Sequence, residues 1–400
     1  MRKVKLGIIG IGNMGSAHLQ ALWANANPNI EVTAVADTNP ERIEWVKENL
    51  AKAQSEHPEY NIPTPAMFAD GSDLIKSGAC EAILIAVPHY DHPRFAIEGF
   101  KHGLHVMCEK PAGVYTLEVR KMIEEADKHP ELKFGMMFNQ RTNCLYRKMK
   151  EIISSGELGE IRRTSWIITD WYRPQSYYDS GAWRATWSGE GGGVLLNLAP
   201  HNLVLWLWIC GMPSVVDAKL HFGKWHDIEV EDDVTVYVEY PNGATGTFIT
   251  TTGDAPGANR FEIVCDGGTL VCENGKLILK KLEMFETEFT KQCKGLFGNP
   301  KCTISEVETD GQNPQHQGVR AAFADAILNN GTLVADGREG INGLTLSNAM
   351  HLSAWTGKPV ELPFDEVLYK ELLMEHVKNS RRKVNVTAAV AEDMSSTYNA

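Results

Sequence analysis

A chain of 400 residues with 43% apolar and 22% charged content is that of a globular protein of two or three domains, long enough to bury its cores without disulfide or metal staples. Its 39 basic and 51 acidic residues leave a formal charge of −12, which argues against the basic face that a nucleic-acid partner requires. The eight cysteines show no two-residue gap of a zinc or redox pair, and the thirteen histidines contain no H-E-x-x-H pattern, so no metal is expected. The cysteines read as buried small apolar groups in a reducing compartment. Met1-Arg2-Lys3-Val4-Lys5 runs straight into a strand, leaving no room for a signal-peptide core, and the most apolar run, residues 203–210, is too short to span a bilayer. A cytoplasmic protein without a membrane partner is the expectation.

In chain order, apolar runs alternate with helical patterns. Strands are expected at 4–9, 31–36, 82–87, 104–107 and 132–136. Helices are expected at 13–26, 40–53, 91–102 and 115–129, and residues 55–65, with three prolines, read as a loop. Near-continuous apolar strands separated by helices imply a parallel sheet covered on both faces. After about residue 140 the pattern changes. A helix at 142–155 precedes longer strands with period-two alternation at 161–169, 215–222, 234–240, 245–251 and 261–265. Asn242-Gly243 and Asn274-Gly275 are hairpin pairs. Helices follow at 315–329 and 337–355, and a polar tail at 381–400 carries Arg381-Arg382-Lys383. The expected fold class is α/β, divided into a doubly wound parallel domain at 1–140, an α/β domain with a mostly antiparallel sheet at 141–380, and the tail.

Gly10-Ile11-Gly12-Asn13-Met14-Gly15 fits G-x-G-x-x-G between the first strand and the first helix. There Gly10 permits the tight turn, Gly12 lets backbone approach a pyrophosphate, and Gly15 lets helix and strand pack closely. Asp37 ends the second strand, 22 residues after Gly15, where a carboxylate accepts hydrogen bonds from the adenine ribose and repels a 2′-phosphate. NAD is therefore expected ahead of NADP, with Arg42 close enough to leave the phosphorylated cofactor open. A glycine turn beside a surface aspartate is the bland alternative.

Cys108-Glu109-Lys110-Pro111 directly follows the fourth strand, at the end of a doubly wound sheet where ligands bind. A desolvated lysine there can exchange protons near neutrality. Gly191-Gly192-Gly193 leads to Asn197 and His201, four apart and so on one helical face, with Pro200 placing the helix start near Asn197. His201 is either a satisfied core histidine bonded to Asn197 or a proton acceptor aimed into a cleft. Residues 166–187 hold seven aromatics: Trp166, Trp171, Tyr172, Tyr177, Tyr178, Trp183 and Trp187. Aromatic faces stack on the C–H faces of sugars, and Arg173, Arg184, Tyr178 and Asp179 can bond hydroxyls. Packing accounts for some of the seven, and the stretch 171–184 is expected to face substrate.

In combination, Gly10-x-Gly12-x-x-Gly15, Ala86-Val87-Pro88…His92, Glu109-Lys110-Pro111, Asn139-Gln140-Arg141, Trp183-Arg184 and Gly193…Asn197…His201 resemble the glucose–fructose oxidoreductase / inositol dehydrogenase (Gfo/Idh/MocA) family, over residues 1 to 360. The resemblance implies a Rossmann domain and an open sheet that mediates homo-oligomers. It also implies NAD(P)-linked redox chemistry at a sugar or cyclitol carbon. It places Val87, Pro88, His92, Glu109, Asn139, Trp183 and Arg184 along the cofactor. Trp171, Arg173, Tyr178, Trp183, Arg184, Asn197 and His201 then meet substrate, with Lys110 and His201 as the acid–base pair and Asn197 beside them. Many members carry aspartate where this chain has Asn197, and another where it has Val204. The Asn version, with Tyr177-Tyr178-Asp179-Ser180-Gly181-x-Trp183-Arg184 upstream, is similar to members acting on glycosides or anhydrosugars, which points to a ring hydroxyl such as C3. A redox-neutral NAD-dependent glycosidase and a non-catalytic dinucleotide-binding regulator are the competing expectations.

Overall fold

The structure is a computed structural model and describes residues 2–381 together with Lys383 and Val386. Most of the expected tail lies outside the described residues. Six strands form the first sheet: β1 (Val4–Ile9), β2 (Ile30–Ala36), β3 (Ala66–Phe68), β4 (Ala82–Ile85), β5 (His105–Cys108) and β6 (Phe134–Met136). Their order is β3-β2-β1-β4-β5-β6 and every pairing is parallel. The strand order reverses between β1 and β4, which opens a crevice at their carboxyl ends. All four residues of β4 are buried, as the unbroken apolar run implies for a strand covered on both faces. The expected helix after β2 begins at Pro40, with the Asn39 side chain accepting from Glu41 N at 2.9 Å. The three-residue β3 and the short helix Gly71–Lys76, capped by Asp70, interrupt a stretch for which no element was expected. Neither is long enough to show a period.

The second sheet comprises β7 (Ile161–Ile168), β8 (Val215–Phe222), β9 (Glu231–Glu239), β10 (Thr245–Thr251), β11 (Asn259–Cys265), β12 (Gly268–Glu273), β13 (Lys276–Leu282), β14 (Cys302–Glu306) and β15 (Val360–Glu361). Among the described residues its order is β14-β13-β12-β11-β7-β10-β9-β8-β15. Only the central β7–β10 pair is parallel. Asn274 and Gly275 both have positive φ, 52° and 70°, and join β12 to β13 by the tight hairpin expected of this pair. One face of the sheet is packed. Trp166 of β7 is fully buried and stacks on Phe261 of β11 at 4.3 Å, while Trp206 from the covering helix Pro200–Cys210 stacks on Phe248 of β10 at 5.5 Å. The other face exposes Ile167 and Tyr237, as alternation requires.

The chain does not stay in the second lobe. Helix Gln315–Asn329 returns to the first sheet, where Val319, Phe323 and Ala324 join the core around Val4, Leu6 and Ile8. A backbone bridge between Gly135 and Asp336 extends that return. Residues on both sides of position 140 thus share one core. Truncating Trp166 to Ala removes the largest side chain at the centre of the second sheet. It should cost about 3–5 kcal/mol of stability, read by urea or thermal denaturation. A cost under ~1 kcal/mol would show that the stacked Trp166–Phe261 pair does not organise that core.

Candidate active site

The glycine turn sits at the carboxyl end of β1. Gly10 has φ +90°, and a Cβ on it would stand 2.4 Å from the carbonyl oxygen of Ala86. A Cβ on Gly15 would lie 1.9 Å from the carbonyl oxygen of Gly10. Both glycines are therefore demanded by the fold. Gly12 is different: it is exposed and nothing lies within 4 Å of the Cβ position. It borders open space at the start of helix Asn13–Trp23, whose first residues, Asn13 and Met14, are half-buried. The Asp37 carboxylate closes this corner, accepting from Ile11 N at 2.6 Å and Asn39 N at 2.8 Å. Arg42 folds onto the same turn, donating to the Ile11 carbonyl and the Ser16 hydroxyl, each at 2.5 Å.

The loops after β4 and β5 are held together by His92. Its ring stands between the carbonyl oxygens of Val87, 2.8 Å from Nε2, and Pro111, 2.6 Å from Nδ1. Pro88 lies between these anchors in sequence, and the Lys110–Pro111 bond is cis. Glu109 is buried behind Lys110. His18 Nδ1 receives a hydrogen bond from the Arg320 guanidinium at 2.7 Å, and a guanidinium only donates. The His18 proton is therefore on Nε2, donated to Glu109 at 2.9 Å. Burial would raise the Glu109 carboxyl, but the His18 bond and nearby cations outweigh it and hold it down to about 2.

The Lys110 ammonium donates to the main-chain carbonyl of Asn197 at 2.6 Å, which joins the two lobes at the crevice. Burial lowers the Lys110 pKa, opposed by Glu109 and Glu190 and assisted by Arg184 and Arg173. His201 is 3% exposed and its pKa is pushed well below the ordinary value, first by burial and then by the Lys110 charge. A neutral imidazole therefore shares the field of a partly desolvated ammonium group.

Asn197 and His201 do not share one helical face. Asn197 closes the single turn Val194–Asn197, and a new helix starts with Pro200 at its first position. The proline removes the amide that would have continued the first turn, so the helix begins beyond Asn197 rather than at it. The Asn197 amide donates to Glu190 Oε1 at 2.6 Å and to the Tyr177 hydroxyl at 3.0 Å. The preceding glycine turn is pinned by Glu231, whose carboxylate accepts from Gly193 N at 2.8 Å and Leu195 N at 3.0 Å and meets His351 Nε2 at 3.0 Å.

The aromatic stretch divides. Trp166 and Trp187 belong to packed interiors, Trp187 resting 5.6 Å from Trp355. Trp171 donates to Asn202 at 3.3 Å, and the buried Tyr178 donates to the Thr252 hydroxyl at 2.7 Å. Arg184 donates to the Tyr177 hydroxyl at 2.9 Å and lies over the Tyr177 and Trp183 rings, at 4.6 and 4.8 Å. Arg173 lies 5.3 Å from the Tyr177 ring. Trp183 meets His89 edge-on at 5.7 Å. Asn139 is fully buried and donates to Gln315 at 2.5 Å, with its Oδ1 lacking a hydrogen-bond partner among the described residues. Sequence reasoning passed over His18, His89, Glu190 and Arg320. The available signal for Glu190 was a carboxylate placed directly before three glycines in an otherwise apolar segment. For His18 and Arg320 no local pattern exists, because 302 residues separate the partners. No cluster of metal-ligating side chains occurs among the described residues.

This fold and crevice are those of a two-lobed dinucleotide-binding protein, and sequence comparison gives the family. Residues 4–136 match the family described as "Oxidoreductase family, NAD-binding Rossmann fold". Residues 146–271 match "GFO/IDH/MocA C-terminal domain". The chain belongs to the GFO/IDH/MocA family. It is 32% identical over 157 residues to inositol 2-dehydrogenase of Salmonella typhimurium, covering 39% of this chain and 43% of that protein. The chain thus spans less than half the length of that curated relative. It is 28% identical over 308 residues to levoglucosan dehydrogenase of Pseudarthrobacter phenanthrenivorans, covering 68% of this chain and 74% of the other. The solved WlbA dehydrogenase of Bordetella pertussis, in complex with NADH and UDP-GlcNAcA, is similar with TM-score 0.72 and 25% identity, over 91% of this chain and all of that one.

The Glu231–His351 pair carries a pH signature. Burial alone would lower the His351 pKa, but Glu231 outweighs it and the result lies above the ordinary 6.5. A raised folded pKa gives stability that is fully present below pH 6.5 and lost as pH rises through the folded value. The stability difference between the natural chain and His351→Gln, measured by denaturant titration across pH, should narrow as pH rises through the folded value. A difference that widens with pH would show that His351 is neutral in the fold.

Proposed function

We propose that this protein is an NAD-dependent oxidoreductase that moves a hydride between a secondary carbinol carbon of a sugar, glycoside or cyclitol and the nicotinamide. The observation that carries this reading is the meeting of Lys110 from the first lobe with the Asn197 segment of the second, beside a neutral buried His201. The glycine turn fits the dinucleotide, since the open space at Gly12 leaves room for a pyrophosphate at a helix amino terminus. Asn13 and Met14 border the same space, and Asp37 with Arg42 stands where the adenine ribose would lie. Asp37 favours NAD over NADP by charge. Val87, Pro88, His92, Glu109, Asn139, Trp183 and Arg184 would continue the cofactor's bed. When bound, NAD supplies the hydride acceptor.

This chain's residues do the rest. His201, held neutral, takes the hydroxyl proton. The Lys110 ammonium stabilises the developing alkoxide. Trp171, Arg173, Tyr178, Trp183 and Arg184 frame the sugar face, and Asn197 fixes Lys110. The names of the inositol and levoglucosan dehydrogenases support a polyol or pyranoside substrate, and a ring position such as C3 suits the Asn197 version of the site. A homo-oligomer formed through the open face of the second sheet is supported by the exposed Ile167 and Tyr237. A cytoplasmic location fits the free cysteines, and among the described residues no helix is long and apolar enough to cross a membrane.

Two outcomes test the reading. Lys110→Ala should slow single-turnover reduction of NAD by about 10²–10⁴-fold, measured by stopped-flow absorbance with myo-inositol and levoglucosan as probes. Hydride transfer at the natural rate would overturn the role of Lys110. Gly12→Ala should keep the melting temperature yet weaken NADH binding at least ~10-fold by fluorescence titration, because the added methyl fills only the ligand's space. Gly15→Ala should instead lower the melting temperature, because its methyl meets backbone.

A further inference from the structure

We propose that Glu190 is the positioning carboxylate of this centre, gripping the Asn197 side chain so that the Asn197 carbonyl stays on Lys110 and supplying the negative charge that an amide at position 197 lacks. This rests on the assignment of Lys110, Asn197 and His201 as the reacting centre. The geometry is specific. Glu190 is 2% exposed. One carboxyl oxygen takes the Asn197 amide at 2.6 Å and the other takes the main-chain N–H of Ala185 at 2.5 Å. Its main-chain oxygen lies 3.2 Å from His89 Nδ1, so the residue is fixed at both ends. The remaining Asn197 proton goes to Tyr177, whose hydroxyl also accepts from Arg184. Asn197 is thus a hub: its carbonyl receives the ammonium group, and its amide binds a carboxylate and a phenol.

The charge on Glu190 is adjustable. Burial raises its pKa to about 7, against the pull of Arg184 and Lys110 and with the push of Glu231. Tyr178 and Lys383 also feel its field. A carboxyl that titrates near neutrality changes the charge beside Lys110 over the range in which an enzyme works. When ionised it favours the lysine ammonium form. When protonated it leaves Lys110 readier to release its proton. Pairs of titratable groups whose surroundings move them toward neutrality are the usual means of matching proton donors and acceptors.

The test reads Lys110 directly. Lysines are dimethylated with ¹³C-formaldehyde in the full chain, Lys110 is assigned by its absence in Lys110→Arg, and its resonance is followed against pH with NADH present. In Glu190→Gln the Lys110 midpoint should fall by at least ~0.5 pH unit, and Asn197→Asp added to that variant should move it back up. A folded Glu190→Gln, with its far-ultraviolet circular dichroism unchanged and its Lys110 midpoint unaltered, overturns the proposal. If Glu190→Gln does not fold, Asn197→Asp alone serves. Its new carboxylate should raise the Lys110 midpoint and weaken ionisation of Glu190, seen as a larger protonated-carboxyl infrared band at neutral pH. No change in either signal overturns the proposal. Stopped-flow NAD reduction runs in parallel. Loss of the Lys110 shift with turnover intact discards Glu190 alone, whereas a Lys110 shift with no hydride transfer from any sugar to NAD discards the oxidoreductase reading and retains the coupling.

Discussion

The interaction on which the arrangement depends is the hydrogen bond from the Lys110 ammonium to the Asn197 carbonyl. It is charge-assisted and nearly buried, which makes it roughly twice as strong as a bond between neutral groups. It also crosses between the lobes. Lys110 follows β5 in one sheet, whereas Asn197 closes a helical turn packed against β9 of the other.

Behind each loop stands a buried ionic anchor. Glu109 accepts from a neutral His18, whose other ring nitrogen is fixed by Arg320 on the returning helix. Glu231 holds the glycine turn through two main-chain amides and pairs with His351. Both devices tie the segments at the crevice to side chains of distant elements. Such buried groups are costly unless every partner is present, so they fix one arrangement of the loops. The electrostatic result is a contrast: Glu109 is held ionised, while Glu190, also buried, lies near neutrality. The two carboxyl groups flanking one lysine differ because at Glu109 the His18 bond and nearby cations outweigh burial, whereas at Glu190 burial, joined by the push of Glu231, outweighs Arg184 and Lys110.

Several local patterns in the chain were read correctly from one period or one turn. Helix Gln315–Asn329 and strands β8 and β10 match their expected bounds. Asn274-Gly275 makes its hairpin because both residues accept positive φ. Gly10 and Gly15 stand where any side chain would strike backbone. β3 and Gly71–Lys76 escaped because they are too short for periodicity, and the longer β13 and helix Glu366–Lys378 were also not expected. The expected shared face of Asn197 and His201 failed for a related reason. Spacing of four implies a face only within one continuous helix, and Pro200 starts a new one.

By itself the sequence determined the parallel first sheet, the mostly antiparallel second one, the glycine turn with its acidic partner Asp37, and the residues around which a redox centre is proposed. The sheets and the glycine turn follow from contacts between near neighbours, which composition and spacing record, whereas the pairing of Lys110 with His201 came from the resemblance to the family. Only the tertiary structure decided that helix Gln315–Asn329 rejoins the first sheet, that Arg320 orients His18, and that Glu190 holds Asn197. The physical reason is that burial and charge act through space. A carboxylate's proton affinity depends on which distant donors and cations the fold brings within a few ångströms, and no period along the chain carries that information.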